Sequence, residues 1–358
     1  MMSFLQIILS LFLGLGCPDC NDTIDISGSV TDRDTKSPIA GVHVFIAGSE
    51  KGVDTDADGK YAITGIEQEA FQLIFSHVGY QTRTINFDAN RSNRRLDVSL
   101  KTEETLLDEV VISAKKDRKW NRDLKKFKGF FFGEGYKEAL ITIENDYLIE
   151  FMDKKGRDLI VDNRPALDIQ NKYLGYEVYF QLIKFELSEV KTYLGFSNFK
   201  EMTPADEQEL SRWKANRLKA YQGSTRHFFK ALIDHKMDEE GYGATLQPQL
   251  ARGKMASGMI DNKEELRYED QGIYKKNINI TPVSEKVFEI SFKGMLEIIF
   301  FNEEDQYGDP QSSEVMLSEP LRVHKNGVIM NPNVLLVNGF WTLEGMLESL
   351  PFEYHPEK

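Results

Sequence analysis

Residues 53–64 read "VDTDADGKYAIT", and the structure of this stretch decides the fold of the first third of the chain. Asp54, Asp56 and Asp58 alternate before Gly59, as at the start of a calcium-binding loop between two helices. Such a loop needs a bidentate Glu at its twelfth position, where this sequence has Gly65. Asp58-Gly59 instead indicates a tight turn, because glycine readily adopts the positive φ that such turns require. We therefore expect a β-hairpin here and no bound metal.

Apolar and polar residues alternate on both sides of this turn, as they do in strands. The alternating runs are "IDISGSV", "VHVFI", "KYAIT", "FQLIFS", "QTRTINF" and "LDVSL". Short strands that recur about every 8–12 residues are typical of a β-sandwich. The sequence therefore predicts an all-β N-terminal sandwich of about seven strands, which we place at residues 24–113.

Charge and the N-terminal segment narrow the class of protein. A formal net charge of −13 argues against a nucleic-acid partner, since phosphate contacts need clustered Lys and Arg. Residues 4–15, "FLQIILSLFLGL", are apolar but too few for a membrane span of about 20 residues. They are typical of a signal peptide, which we place at residues 1–20. We expect export to the periplasm or outer membrane.

The only cysteines, Cys17 and Cys20, follow this apolar run. Two cysteines alone do not make a zinc site, and no βαβ pattern surrounds them as a redox motif would require. The stretch "LGLGC" resembles a bacterial lipoprotein cleavage box, in which the cysteine carries the lipid. Cys17 is therefore a candidate lipidation site, and simple cleavage nearby is the alternative. We expect no metal and no cofactor.

Four motifs in the predicted sandwich resemble the carboxypeptidase regulatory-like domain of Bacteroidetes-type proteins. They are "GSVTD", "PIAGVHV", "TDADGKY" and "FSHVGY", all between Ile26 and Leu100. The resemblance implies a transthyretin-like or Ig-like sandwich. Such domains accompany enzymes and envelope proteins and are not catalytic themselves.

The segment after the sandwich, "TLLDEVVISA" at residues 105–114, is similar to one in TonB-dependent transporters. In those proteins a segment like Leu107–Ile112 can pair with TonB by strand addition. A transporter also needs a barrel of about 22 strands, for which residues 115–358 are too few. We therefore expect this segment to be a last strand that runs into a linker. We expect neither that the protein is a transporter nor that this segment contacts TonB.

Residues 114–133 are predicted to form a basic amphipathic linker helix. Eight Lys or Arg and two Asp lie between Lys115 and Lys128. One face carries the apolar residues Trp120, Leu124, Phe127 and Phe131. A helix of this kind can make peripheral membrane contact through Lys115–Lys128. The interpretation we favour is that the aromatic face packs on the next domain, joins the two domains and leaves the basic residues in water.

Residues 134–358 are predicted to form an α+β domain. One buried strand should place five alternating apolar residues on one face: Leu174, Tyr176, Val178, Phe180 and Leu182. Thr203 and Pro204 predict the start of one helix, Ser224 predicts the cap of the next, and "TLEGMLESL" predicts a short closing helix. The stretches "NKYLGYEVYFQL", "WKANRLKAYQGSTRHFFKALI" and "GFWTLEGMLESLPFEY" resemble an uncharacterised region that follows the regulatory-like domain in Bacteroidetes-type proteins.

Candidate binding residues cluster at the junction of the two predicted helices. They are Arg217, Tyr221, Arg226 and His227. Arg217 lies four residues from both Trp213 and Tyr221 and is predicted to stack between aromatic rings. Ser224 and His227 are close enough for a nucleophile and base, but a capping Ser has its hydroxyl occupied.

Enzyme motifs that would name an activity are not found in this sequence. None of the six histidines begins the H-x-x-E pair of a zinc carboxypeptidase, and there is no G-x-S-x-G elbow, P-loop or Rossmann fingerprint. We favour a non-enzymatic cell-envelope protein that binds or positions another surface component, such as a glycan, a peptide or an envelope protein. The alternative is a hydrolase with its site near Arg217, Tyr221 and His227.

Overall fold

The computed structural model describes residues 23–88, 94–103, 117–152, 158–188, 191–247, 277–304 and 307–356. The expected signal peptide, Cys17 and the TonB-like segment Leu107–Ile112 lie outside these ranges. Within them, no helix has the length and apolar character needed to cross a bilayer.

The N-terminal part is a sandwich of two antiparallel-rich sheets, as predicted. Its strands are β1 (Ile24–Asp32), β2 (His43–Ile46), β3 (Gly52–Asp54), β4 (Lys60–Ile66), β5 (Ala70–Ser76), β6 (Arg83–Asp88) and β7 (Val98–Leu100). One sheet has the order β4-β1-β7 and the other β3-β2-β5-β6. Alternate residues of the strands face inward, so that Val30, Val44 and Phe75 are fully buried between the sheets.

The turn at Asp56–Gly59 is tight but does not form the expected hairpin. Gly59 has φ +72°, and the Asp56 carboxylate accepts bonds from the backbone N–H groups of Asp58 and Lys60 at 2.9 and 2.8 Å. However, β3 pairs with β2 and β4 pairs with β1, so the turn carries the chain from one sheet to the other. The hairpin prediction is wrong because alternation identifies strands without showing which sheet each strand joins.

A central antiparallel sheet follows a single helix. The helix α1 spans Arg118–Phe132, and the strands are β8 (Ile141–Ile143), β9 (Leu159–Ile160), β10 (Ala166–Asn171), β11 (Tyr176–Leu187) and β12 (Lys191–Glu201). The order is β12-β11-β10-β8, and β9 pairs with one end of β11. The predicted apolar face of β11 is buried, with Val178 and Leu182 in the central core.

The aromatic face of α1 packs on this central sheet. Leu124, Phe127 and Phe131 lie in the same core cluster as the sheet, and Phe127 and Phe131 are fully buried. The expectation that this face joins the two domains is wrong, because it lies inside the second domain. The basic residues are also not all in water: Lys128 is buried, and its ammonium lies 2.8 Å from the Asp146 carboxylate.

Two helices, α2 (Glu207–Tyr221) and α3 (Thr225–Ile233), connect the central sheet to the last part of the chain. The predicted start of α2 at Thr203 is wrong, since Asp206 is the N-cap and accepts from the N–H of Glu209 at 2.8 Å. Asp206 competes successfully because its carboxylate also complements the positive end of the helix dipole. Ser224 caps α3 as predicted and accepts from the N–H of His227.

Two further sheets and α3 form the C-terminal core. The strands are β13 (Tyr242–Gln247), β14 (Asn279–Pro282), β15 (Val287–Ser291), β16 (Met295–Glu304), β17 (Pro310–Leu317), β18 (Leu321–His324) and β19 (Leu335–Gly339). Their orders are β13-β16-β17-β19 and β14-β15-β18. Phe228, Phe229 and Leu232 of α3 fill this core. The predicted closing helix is a single 3-10 turn at Met346–Glu348. The fold class is confirmed as a β-sandwich followed by an α+β part.

Candidate functional site

Arg217 is buried in a set of structural contacts on α2. Its Nε donates to the Leu174 carbonyl at 2.7 Å, and its Nη1 lies 2.5 Å from Glu201 Oε1. The guanidinium lies 4.2 Å from the ring centre of Tyr176. The predicted stacking on an aromatic ring is found, but the partner is Tyr176 on β11 and not Trp213 or Tyr221 on its own helix. Its donors hold the turn before β11 against α2.

His227 is also buried, with both ring nitrogens occupied. Its Nδ1 accepts from the Gly223 N–H at 3.2 Å and lies 3.0 Å from the Tyr242 hydroxyl. This leaves the proton on Nε2, which lies 3.1 Å from Glu240 Oε2. Burial lowers the pKa of His227, and the Glu240 carboxylate offsets only part of that shift. The enclosed imidazole thus links α3 to Tyr242 on β13 and to Glu240.

The suspected pair of Ser224 and His227 does not form a nucleophile and base. The Ser224 hydroxyl donates to the Tyr221 carbonyl at 2.6 Å and accepts from the His227 backbone N–H at 3.2 Å. A hydroxyl that caps a helix in this way is held away from the imidazole nitrogens, which have the other partners described above.

Arg226 binds the segment that contains residues 351–354, and Tyr221 lies beside it, with its ring 6.0 Å from that of Tyr354. The Arg226 guanidinium donates to the carbonyls of Pro351 at 2.8 Å, of Phe352 at 3.0 Å and of Tyr354 at 2.5 Å. Burial lowers the pKa of Arg226 to about 10. The Tyr221 ring lies 4.9 Å from His227 and burial raises its pKa to about 12. The structure thus brings all four predicted residues into one region, where each makes contacts within the protein.

The sandwich and the central sheet meet in a polar and aromatic contact. Ser76 Oγ donates to Gln181 Oε1 at 2.6 Å and lies 2.9 Å from the Tyr179 hydroxyl. The ring of His43 lies 4.7 Å from that of Tyr179, and Gly48 donates to the Ser197 carbonyl at 2.7 Å. The sandwich therefore covers the second face of β11, on which Tyr179 and Gln181 lie.

A cavity of about 300 Å³ lies beside this region, between the α2–α3 turn and the segment after β19. Its lining residues are Tyr193, Ala220, Ser224, Thr225, Arg226, Trp341, Glu344, Gly345, Glu348, Ser349 and Leu350. Of the four predicted site residues, only Arg226 is among them. The two glutamates were missed, because "TLEGMLESL" was interpreted only as a closing helix and its partners are more than a hundred residues away in the sequence.

The cavity is acidic. Burial raises the pKa of Glu344 to about 8, and the neighbouring Glu348 and Glu303 carboxylates add to that shift. The pKa of Glu348 is raised in the same direction, again mainly by burial. Burial also raises the pKa of the Tyr193 hydroxyl to about 12. Carboxyls that are shielded from water and close to one another favour a bound cation or a proton.

Metal ligands are not grouped in the part of the chain that the structure describes: it contains no cluster of three or more His, Cys, Asp or Glu side chains able to hold an ion. In the aspartate-rich stretch at residues 54–59, each aspartate contacts another group of the protein. Asp54 lies 2.7 Å from His43 Nδ1, Asp58 lies 3.0 Å from Lys60 Nζ, and Asp56 caps the turn.

Comparison with known families confirms the domain that the motifs predicted. Residues 26–112 match the family model of the CarboxypepD_reg-like domain. The chain therefore carries this domain, and the β1 to β7 sandwich is its fold.

Curated proteins similar to this chain include TonB-dependent receptors. P39 of Formosa agariphila is 32% identical over 106 residues, which are 30% of this chain and 10% of the receptor. P26 of the same organism is 40% identical over 87 residues, 24% of this chain and 8% of the receptor. SusC of Bacteroides thetaiotaomicron is 29% identical over 108 residues, 30% of this chain and 10% of the receptor. The chain thus spans about a tenth of the length of these curated relatives.

Likenesses to solved structures are low. The C-terminal domain of the shaft pilin SpaA from Lactobacillus rhamnosus GG is 14% identical, with a TM-score of 0.19 over 23% of this chain and 98% of that one. A 9R-lipoxygenase from Cyanothece is 12% identical, with a TM-score of 0.20 over 67% of this chain and 50% of that one. Neither likeness carries information about function.

Proposed function

We propose that this chain is a non-enzymatic, envelope-associated protein that binds or positions another surface component. The match between its sandwich and part of several TonB-dependent receptors supports an envelope context. In this proposal residues 1–20 are the signal peptide, 24–113 the sandwich, 114–133 the connecting helix and 134–358 the α+β domain. The protein would lie in the periplasm or at the outer membrane, with Cys17 as a candidate lipid anchor.

The observation that carries the non-enzymatic proposal is how the candidate catalytic groups are used. Arg217 is bonded to Leu174 and Glu201, His227 to Gly223 and Glu240, and the Ser224 hydroxyl caps α3. Groups that are buried and bonded in this way have no free face for a substrate. We therefore do not adopt the hydrolase alternative at Arg217, Tyr221 and His227.

The sandwich would serve as a fixed platform within this protein. Its contacts with β11 and β12 are main-chain and side-chain hydrogen bonds together with tilted ring contacts, so it holds one orientation on the second domain. A partner bound on either part would consequently be placed relative to the other. TonB contact at Leu107–Ile112 is not part of the proposal.

Peripheral membrane contact through Lys115–Lys128 would be electrostatic only. The apolar face of α1 is in the core, and the exposed basic residues of the described helix are Arg118, Arg122, Lys125 and Lys126. Each basic residue near an anionic surface contributes about 1 kcal/mol, which gives weak and salt-sensitive binding. Anionic vesicles should therefore retain the protein at low salt and release it near physiological salt.

Cell fractionation tests the location. We expect the mature chain in the envelope fraction, with its N-terminus at or after Cys17, and a full-length, uncleaved chain in the cytosol would contradict the proposal. Mass spectrometry of the mature N-terminus tests Cys17, because an acylated Cys17 and its loss in Cys17→Ala are both visible by mass.

Hydrolase assays test the non-enzymatic character. We expect no turnover of chromogenic esters or glycosides above that of a His227→Gln variant, because neither chain has an exposed base at this position. Turnover by the natural chain that His227→Gln removes, at an unchanged melting temperature, would favour the hydrolase alternative instead.

A further inference from the structure

We infer that the cavity between the α2–α3 turn and the segment after β19 binds a small organic ligand through a primary ammonium group. The cavity holds about 300 Å³, the lower end of the range of about 300–1,000 Å³ for small-molecule sites. It therefore suits a ligand of the size of an amino sugar. The inference goes beyond the proposed envelope role, which does not require a small-molecule site.

The walls of the cavity are held rigidly by contacts outside it. Trp341 Nε1 donates to the Gly223 carbonyl at 2.7 Å, and the Trp341 ring lies 5.6 Å from that of Phe228. The segment that carries Glu344 is attached to the end of α1, since the Glu134 N–H donates to the Leu343 carbonyl at 3.0 Å. A preformed wall lowers the ordering cost of binding.

The acidic side chains of the cavity are not fully paired with cationic groups. Glu344 has no hydrogen bond or ion pair with any described side chain, and Lys219 is the cation that acts on Glu348. Arg226 borders the cavity, but its guanidinium donates to the carbonyls of the C-terminal segment. A ligand cation would meet a carboxyl group that has no other cationic partner among the described residues and that ionises when the cation binds.

A buried side-chain oxygen without a hydrogen-bond donor lies on the other side of Trp341, outside this cavity. There the buried Gln311, which is 8% exposed, donates through Nε2 to Glu303 at 2.8 Å. Its Oε1 has no hydrogen-bond partner in the described structure and borders a smaller cavity of about 10 Å³. A buried amide oxygen of this kind requires an N–H or O–H donor. The same region thus presents acceptors without donors in two adjoining spaces.

The hydrogen-bond acceptors that line the cavity favour an organic ammonium group as the ligand. The side-chain oxygens of Glu344 and Glu348 can accept N–H bonds from a primary ammonium, and the aromatic residues Tyr193 and Trp341 also line the cavity. A metal ion would need a group of three or more ligating side chains, which the described residues do not contain. A neutral ligand would offer no positive charge to the Glu344 carboxyl, which would then stay protonated at pH 7.

Isothermal titration of the full chain with D-glucosamine tests this inference, with N-acetyl-D-glucosamine and D-glucose as uncharged controls of similar shape. We expect glucosamine to bind at least tenfold more tightly than either control. Binding at pH 7 should also release about one proton per molecule, because ammonium binding ionises a Glu344 carboxyl whose pKa is about 8. The released proton is measured as a dependence of the binding enthalpy on the ionisation enthalpy of the buffer.

Two variants test whether glucosamine binds at Glu344 or at acidic residues elsewhere on the surface. Glu344→Gln keeps the shape of the side chain and should weaken glucosamine binding at least tenfold, abolish proton release and leave the melting temperature unchanged or higher. Glu319→Gln, in an exposed loop, should bind as the natural chain does. Equal binding of glucosamine and its N-acetyl form, no detectable glucosamine binding, or full binding and proton release in Glu344→Gln would overturn the inference.

Discussion

The side-chain amide of Asn198 donates a hydrogen bond of 2.8 Å to the carbonyl oxygen of Ser49, and this bond fixes the sandwich to the edge of the central sheet. The same carbonyl accepts from the Phe199 N–H at 2.9 Å, and the Asn198 Oδ1 lies 3.1 Å from His43 Nε2. The chain segment after β2 thus continues the sheet beyond β12. The sandwich is therefore part of one mechanical unit with the second domain.

We expect Asn198→Ala to loosen the sandwich from the central sheet. The change removes two side-chain hydrogen bonds at a site that is 9% exposed, which should cost about 2 kcal/mol. Hydrogen exchange should rise at Gly48 and Ser49 while the exchange of β10 and β11 stays slow. Lys200→Ala, at an exposed position two residues along the same strand, is the control and should change neither. Unaltered exchange at Gly48 in Asn198→Ala would show that the contact is not needed for docking.

Phe127→Ala should destabilise the second domain. Phe127 is fully buried, and its ring lies 4.5 Å from that of Phe185 and 5.2 Å from that of Phe131. Truncation of such a ring leaves a cavity and costs about 3–5 kcal/mol in the free energy of unfolding. Urea denaturation of the full chain measures this loss, and the exposed neighbour in Lys126→Ala should show a change below about 0.5 kcal/mol. A Phe127→Ala chain as stable as the natural one would mean that α1 is not part of the core.

Local signals in the sequence predicted local structure well. The alternation that predicted the strands of the sandwich and the Ser224 cap of α3 both depend on neighbouring residues, and both are observed. The start of α2 was misplaced because "TPADEQE" offers two caps. The true cap has a further signal, since Glu209 lies three residues after Asp206 and its carboxylate accepts from the Ala205 N–H at 2.9 Å. This arrangement is close to a capping box and could have been found in the sequence.

The candidate site could not be predicted in the same way, because its parts are distant along the chain. Arg217 was expected to stack on aromatic residues of its own helix, whereas its partner Tyr176 lies on a strand 41 positions earlier. Glu344 borders the cavity only because the segment after β19 returns to α2 and α3. Helical spacing predicts which residues are neighbours within one helix. Contacts between residues far apart in the sequence depend on how the elements pack, which this spacing does not show.

His324 should make the stability of the protein depend on pH. Its side chain is buried, and burial lowers its pKa from 6.5 to about 4. The unfolded chain therefore binds the proton more tightly, so stability is complete above pH 6.5 and is lost as the pH falls toward 4. Between pH 7 and pH 5 this loss should amount to about 2 kcal/mol.

The measurement is the difference in unfolding free energy between the natural chain and His324→Gln at pH 7 and at pH 5. We expect a smaller loss on acidification in His324→Gln, whereas His235→Asn, at an exposed position, should lose as much as the natural chain. Parallel pH profiles for all three chains would show that His324 is not the group that titrates.

Arg226→Lys should release the C-terminal segment although it keeps the positive charge. The guanidinium donates at once to the carbonyls of Pro351, Phe352 and Tyr354, and an ammonium on a shorter stem cannot match that planar set of donors. Carbonyls left without a donor cost about 1–3 kcal/mol each where water cannot reach them. We therefore expect faster hydrogen exchange and earlier proteolysis at residues 351–356, with a loss of about 3 kcal/mol in stability. Arg212→Lys, an exposed change on α2, should leave both unchanged. Protection of residues 351–356 that survives in Arg226→Lys would mean that Phe352, packed 4.8 Å from the His324 ring, holds this segment without the arginine.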